Sequence, residues 1–175
     1  MIAPARPTIH GSAVRVGERA VLIRGPSAAG KSRLAFDLIL AGRSGHIPAA
    51  TLVGDDRLHL EAVRGQLVAR PPRELEGLIE VRGLGIRQCH FVAEAPVGLV
   101  IDLCAPDGER LPPPEALRTT LLGIEIARIP VEPGFSPLPI VIAALTTLPG
   151  CSDGLSAVDC RKEFGNHISP TIATE

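Results

Sequence analysis

The chain has 175 residues, with 18 basic and 19 acidic side chains, 45% hydrophobic residues, and four Phe but no Tyr or Trp. That length suits one domain with a full core and is too short for two large ones. Nearly balanced charge without a Lys/Arg-rich stripe, together with so few aromatics, argues against nucleic-acid recognition by phosphate contact or by base stacking.

In chain order, "AVRV" precedes a turn at Gly17, and "AVLIR" reads as a buried strand running into the Gly25 loop. "KSRLAFDLILAG" follows as a helix: Leu34, Leu38 and Ala41 share a face, Arg33 and Asp37 form an outward i,i+4 pair, and Gly42 is the expected terminator. "RSGHIPAA" is a loop, "TLVGDD" a short strand ending in two carboxylates, and "LHLEAV" with "QLVAR" a hairpin around Gly65. After the loop "PPRELEG" come "LIEVRGLGI" and the buried strand "VGLVIDL", which ends near Asp102. Proline-rich "LPPPEALR" leads to a strand at "GIEIARIPV", and "LPIVIAALTTL" forms a closing helix.

The pattern predicts a single α/β domain over residues 1–149, with a tail over 150–175 in which the periodicity fades. No run is long and apolar enough to cross a bilayer, and "MIAPARPTIH" lacks the blocks of a signal peptide. A cytosolic protein with no membrane or nucleic-acid partner is expected. Cys89, Cys104, Cys151 and Cys160 fall in no C-x-x-C pair and have no His at zinc-finger spacing, so they read as buried thiols.

The stretch "GPSAAGKS" carries the strongest chemistry. Gly25, Pro26, Ser27, Ala28, Ala29, Gly30, Lys31 and Ser32 match the phosphate-binding loop set between a strand and a helix. Glycines let backbone N–H groups turn inward toward phosphate oxygens, the helix start adds its positive end, Lys31 reaches the terminal phosphates and Ser32 ligates Mg²⁺. Only Lys31 and Lys162 are lysines, which makes a chance lysine here less expected than a plain strand-to-helix turn would require. Such a loop implies a nucleotide or phosphate and leaves the acceptor open among GTPases, small-molecule kinases, motor ATPases and protein kinases.

Phosphoryl transfer asks for carboxylates that hold metal or orient the attacking oxygen. Asp55 and Asp56 lie at the carboxyl end of a predicted strand, and neighbours on extended backbone face opposite ways. One could face an acceptor hydroxyl while the other faces a metal or a structural partner; an Asx-type turn is the competing reading. In "IEVRGLGI", Glu80 and Arg82 are two apart and are expected on one strand face, beside Gly83 and Gly85. They read either as a metal carboxylate beside a phosphate cation or as a cross-strand ion pair.

Together, "IHGSAV", "GPSAAGKS", "LVGDD" and above all "IEVRGLGI" make residues 8 to 148 resemble the catalytic domain of the bacterial HPr kinase/phosphorylases, which phosphorylate a serine of HPr, a small carrier protein of the sugar phosphotransferase system. The resemblance implies a P-loop domain similar to the phosphoenolpyruvate carboxykinase-like fold, with a mixed central sheet flanked by helices and hexameric assembly. It implies ATP and Mg²⁺ as cofactors, with Ser32 and Glu80 on the metal. Asp55, with Asp56 beside it, would take the proton from the acceptor serine; His10 matches the family's active-site histidine, and Arg110 in "GERLP" falls where the family keeps an arginine. Two departures stand out. The chain starts almost at the catalytic domain, as a short form would, and its tail does not resemble the family's closing helix. The basic segment tied to dephosphorylation appears as "PVEPGFSP", with Glu132 at an arginine position and Phe135 and Ser136 replacing a polar pair. Other readings are a kinase of the same fold on another substrate and a nucleotide sensor that transfers nothing.

Overall fold

The computed structural model describes residues 8–148, so the expected tail over 150–175 lies outside the described residues. Strand β1 (Ile9–His10) leads into β2 (Ser12–Val16), which turns at Gly17, φ +60°, into β3 (Arg19–Arg24). The loop 25–30 opens helix α1 (Lys31–Arg43). Gly42 does not terminate that helix. It sits inside the last turn, where a Cβ would lie 2.7 Å from both the Cβ and the amide N of Ala50, so glycine is there to let the next strand approach. The left-handed residue beyond the helix end is Gly45, φ +74°.

Strand β4 (Ala50–Gly54) delivers Asp55 and Asp56 into a tight connection to β5 (Arg57–Val63). The hairpin to β6 (Gln66–Arg70) turns at Arg64 and Gly65, φ +50° and +79°, the primed geometry that matches strand twist. A separate two-stranded hairpin pairs β7 (Leu78–Val81) with β8 (Gly85–Gln88). Next comes β9 (Ala95–Leu103), then β10 (Arg118–Leu121), a strand the sequence reading did not single out, then β11 (Ile124–Val131) and α2 (Pro137–Thr146).

The main sheet has nine strands and is mixed, in the order β1-β5-β6-β9-β3-β2-β4, with β10 and β11 attached through β9. Strand β9 is the hub. It runs parallel to β3 on one side and to β11 on the other, and its first two residues pair antiparallel with β6. A register shift between Ala20 and Val21 of β3, opposite Gly98, changes the phase of β9. Ala95 and Val97 consequently join one apolar cluster, whereas Leu99, Ile101 and Leu103 join the other. That shift explains how one strand reads as a continuous apolar run.

Both helices lie on one face of the sheet. Leu34, Leu38 and Ile39 of α1 and Val141 of α2 pack there with Val21, Ile23 and Ile101. On the opposite face, Leu22 and Val100 meet Leu58, Leu67 and Ala69, so the curled β5–β6 hairpin covers that side. The parallel strands β3, β9 and β11 end together: Arg24 is level with Asp102, and Asp102 with Pro130. Ligands collect at such carboxyl ends in α/β sheets. Among the described residues, no helix is long and apolar enough to cross a membrane.

Candidate active site

The loop after β3 has the shape that its glycines were expected to permit. Gly25 has φ +148°, and a Cβ there would come within 3.0 Å of Leu103, so the loop lies flat against the end of β9. Ala28 and Gly30 also take positive φ, +62° and +95°. Helix α1 starts directly behind them with no side-chain cap and no acidic residue in its first turn. Its first N–H groups have no intrahelical acceptor and point at the loop, the arrangement that binds anions. Lys31 is buried at 6% exposure and folds back along the loop, donating to the Gly25 carbonyl at 3.0 Å and the Pro26 carbonyl at 2.8 Å. Burial lowers its pKa, while Asp55 and Asp56 pull the other way.

The two adjacent carboxylates are set differently, but not by strand alternation: β4 ends at Gly54 and Asp56 leaves extended backbone. Asp55 is 4% exposed. Its Oδ1 accepts from the Ser12 hydroxyl at 2.5 Å, and its Oδ2 accepts from the Glu80 backbone N–H at 3.0 Å. Asp56 is open to solvent at φ +68°, with its Oδ1 3.5 Å from His10 Nε2. One side chain, Asp55, thereby ties together β2, the β4–β5 connection and the β7–β8 hairpin. Sequence reasoning missed Ser12. Its signal was a hydroxyl at the head of a mostly apolar strand, where a buried polar group must find a partner.

A cleft of about 880 Å³ gathers most of the expected residues. His10, Lys31, Ser32, Asp55, Asp56 and Glu80 all line it, as do Ser27 to Gly30 of the loop. Glu80 sits on β7, but Arg82 falls in the turn beyond that strand, so the two do not share a strand face; both still line the cleft. Arg110 lies in the exposed connection after β9 and is not among the lining residues. Glu132 is exposed and also outside the lining, whereas Gly134 to Leu138 form one wall. Cys104 is exposed rather than buried, Cys89 is half-buried, and Cys151 and Cys160 lie outside the described residues.

Beneath the loop is an ionic cluster that local reading did not find. Asp102 accepts two hydrogen bonds from Arg24, both at 2.7 Å, and a third from Arg128 at 2.6 Å. Arg128 also reaches both carboxylate oxygens of Asp107, at 2.5 and 2.9 Å. Burial works against the Asp102 carboxylate, but the hydrogen bonds from Arg24 and Arg128 outweigh it and hold its pKa below the ordinary value. Arg24 immediately precedes Gly25, so this cluster anchors the base of the phosphate loop to β9 and β11.

Residues 2–164 match the family described as HPr Serine kinase C-terminal domain. The chain belongs to that family. Among curated relatives, an HPr kinase/phosphorylase of Mycoplasma mycoides is 31% identical over 150 residues, spanning 78% of this chain and 46% of that protein. One from Clostridium beijerinckii is 42% identical over 78 residues, or 45% of this chain and 24% of the relative. This chain thus spans less than half the length of either relative. A solved structure described as the Hpr(Ser) kinase/phosphatase from Coxiella burnetii aligns with a TM-score of 0.63 at 30% identity, covering 79% of this chain and 93% of the other. The HPr kinase fold expected from the motifs is therefore the fold observed.

The residues present fit a nucleotide with Mg²⁺. The uncapped helix start and buried Lys31 suit polyphosphate. Mg²⁺ takes one or two protein oxygens beside phosphate oxygens and water, and Ser32 and Glu80 present such hard oxygens in the same cleft.

Proposed function

We propose that this chain is an ATP- and Mg²⁺-dependent kinase that phosphorylates a serine of HPr in the cytosol. The observation that carries this reading is the convergence, in one cleft, of the phosphate loop with a carboxylate held by two protein donors. A sensor of nucleotide needs the loop but no fixed carboxylate beside it.

In the proposed reaction, Lys31 turns from the loop carbonyls to the terminal phosphates and neutralises charge that grows during transfer. The amides of the loop and the start of α1 fix the polyphosphate. Ser32 and Glu80 would hold Mg²⁺, which supplies charge neutralisation across the phosphate oxygens. Asp55 accepts the proton of the acceptor hydroxyl as its oxygen bonds to phosphorus and the bond to the nucleoside diphosphate breaks. Ser12 and the Glu80 N–H keep that carboxylate aimed, and its remaining lone pairs are free for the substrate. His10 lies 3.5 Å from Asp56 and lines the same cleft, which supports a role for it beside the approaching serine.

The reverse reaction, in which phosphate attacks phosphoserine, brings two anions together and requires added positive charge. Glu132 supplies none where the family places arginine. Because its carboxylate is exposed and outside the cleft lining, screening blunts direct repulsion, and the missing cation is the stronger reason for weak phosphorylase activity.

Incubating the chain with purified HPr, labelled ATP and Mg²⁺, then mapping the label, tests the proposal. Label on one HPr serine is the expected result. Binding of ATP with no transfer to HPr would overturn it.

A further inference from the structure

We propose that the phosphate cleft continues into a base subsite, in which the aromatic base of the bound nucleotide stacks on Phe135. The inference rests on the nucleotide reading above and adds to it the residue that meets the nucleoside end.

The chain has four Phe and no Tyr or Trp, and two of those rings, Phe36 and Phe135, line this cleft. Phe36 packs partly against the core, whereas Phe135 is 63% exposed. Its backbone is nonetheless well fixed. The Phe135 N–H donates to the Glu132 carbonyl at 3.3 Å, Pro133 occupies the second position and Gly134, φ +89°, the third, which together describe a type II turn. On the other side, Ser136 and Pro137 start α2, and Leu138 packs on the core. A rigid turn therefore presents a large apolar ring to the cleft, and among the described residues that ring stays mostly exposed.

Distance and charge agree with a base. β3 and β11 flank β9 in parallel and end level, so the phosphate loop and the Phe135 turn leave the same edge two strands apart. Two strand spacings are about 10 Å. That span matches the reach of an extended nucleotide from its middle phosphate to its base. Lys31 marks the phosphate end, while the wall from Gly134 to Leu138 carries no charge, as suits the base end of a nucleotide.

The test compares ATP with tripolyphosphate, which has the phosphates and no base. Calorimetric titration of Phe135→Ala should show ATP binding weakened roughly tenfold, the scale of one base–aromatic stack, with tripolyphosphate binding unchanged. Phe135→Trp introduces the chain's only tryptophan, whose emission should change on saturation with ATP and not with tripolyphosphate. ATP affinity in Phe135→Ala equal to the parent's, with tripolyphosphate still bound, would overturn the base subsite alone; a raised KM for HPr in that case would reassign the ring to protein docking. Loss of both ligands in Phe135→Ala would show that the ring shapes the phosphate loop, which also overturns the proposal. A parent chain that binds neither ligand would remove the phosphate reading and the base subsite together.

Discussion

Lys31 is held at a cost that its proposed role at the phosphates explains. Burial lowers its pKa, so the unfolded chain binds the proton more readily, and this group's contribution to stability rises with pH until it passes the ordinary value of 10.5. Lys31→Met should therefore melt no lower than the parent at pH 7 while losing tripolyphosphate binding, the trade expected of a functional strain. Melting curves of the two proteins should converge as the pH approaches 10.5. The carboxylates are separable by another measurement. Asp55→Asn should bind nucleotide almost normally and transfer phosphate at least a hundredfold more slowly, the scale of a lost general base. Glu80→Gln should instead raise the Mg²⁺ concentration needed for half-maximal rate. Identical Mg²⁺ titrations for the two variants would refute that division of roles.

Helix α1 illustrates what a one-dimensional pattern reveals and what it hides. Its start, its buried face and the Arg33–Asp37 pair, 3.7 Å apart, follow from local spacing and were legible. Gly42 was misread because a terminator and a close-packing glycine look alike until Ala50, eight residues on, is placed against it. Replacing a helical glycine by alanine ordinarily gains about 1 kcal/mol. At Gly42 the clash with Ala50 reverses the sign, and overpacking should cost about 1–3 kcal/mol in chemical denaturation. Activity should fall as well, because Ala50 begins the strand that carries Asp55. Arg82 was misplaced for a similar reason: β7 ends one residue earlier than the alternating pattern implies. Local periodicity found the β5–β6 hairpin and the carboxylates, but it could not find the β7–β8 pairing, Ser12 on Asp55 or Arg128 on Asp102, the last two pairs separated by 43 and 26 positions.

The Asp102 cluster joins the three parallel strands whose ends carry the cleft, so it bears on the whole molecule. Its depressed carboxyl contributes stability above the ordinary value of 3.8, and that contribution is lost as pH falls through the lower folded value. Asp102→Ala leaves Arg24 and Arg128, at 27% and 14% side-chain exposure, without their shared counter-charge. The expected loss is about 3 kcal/mol at pH 7, shrinking toward zero in acid, as read from urea midpoints across pH. Asp55 has a different consequence. Because the Glu80 N–H donates to it, the arm that would carry the metal and the group that would meet the acceptor cannot be ordered independently. A ligand that restrains one restrains the other, and the entropy of ordering is then lost only once. Thermodynamic reciprocity requires the benefit to be equal in both directions: by whatever factor the proposed Mg²⁺-nucleotide tightens binding of the proposed acceptor, that acceptor must tighten binding of the nucleotide.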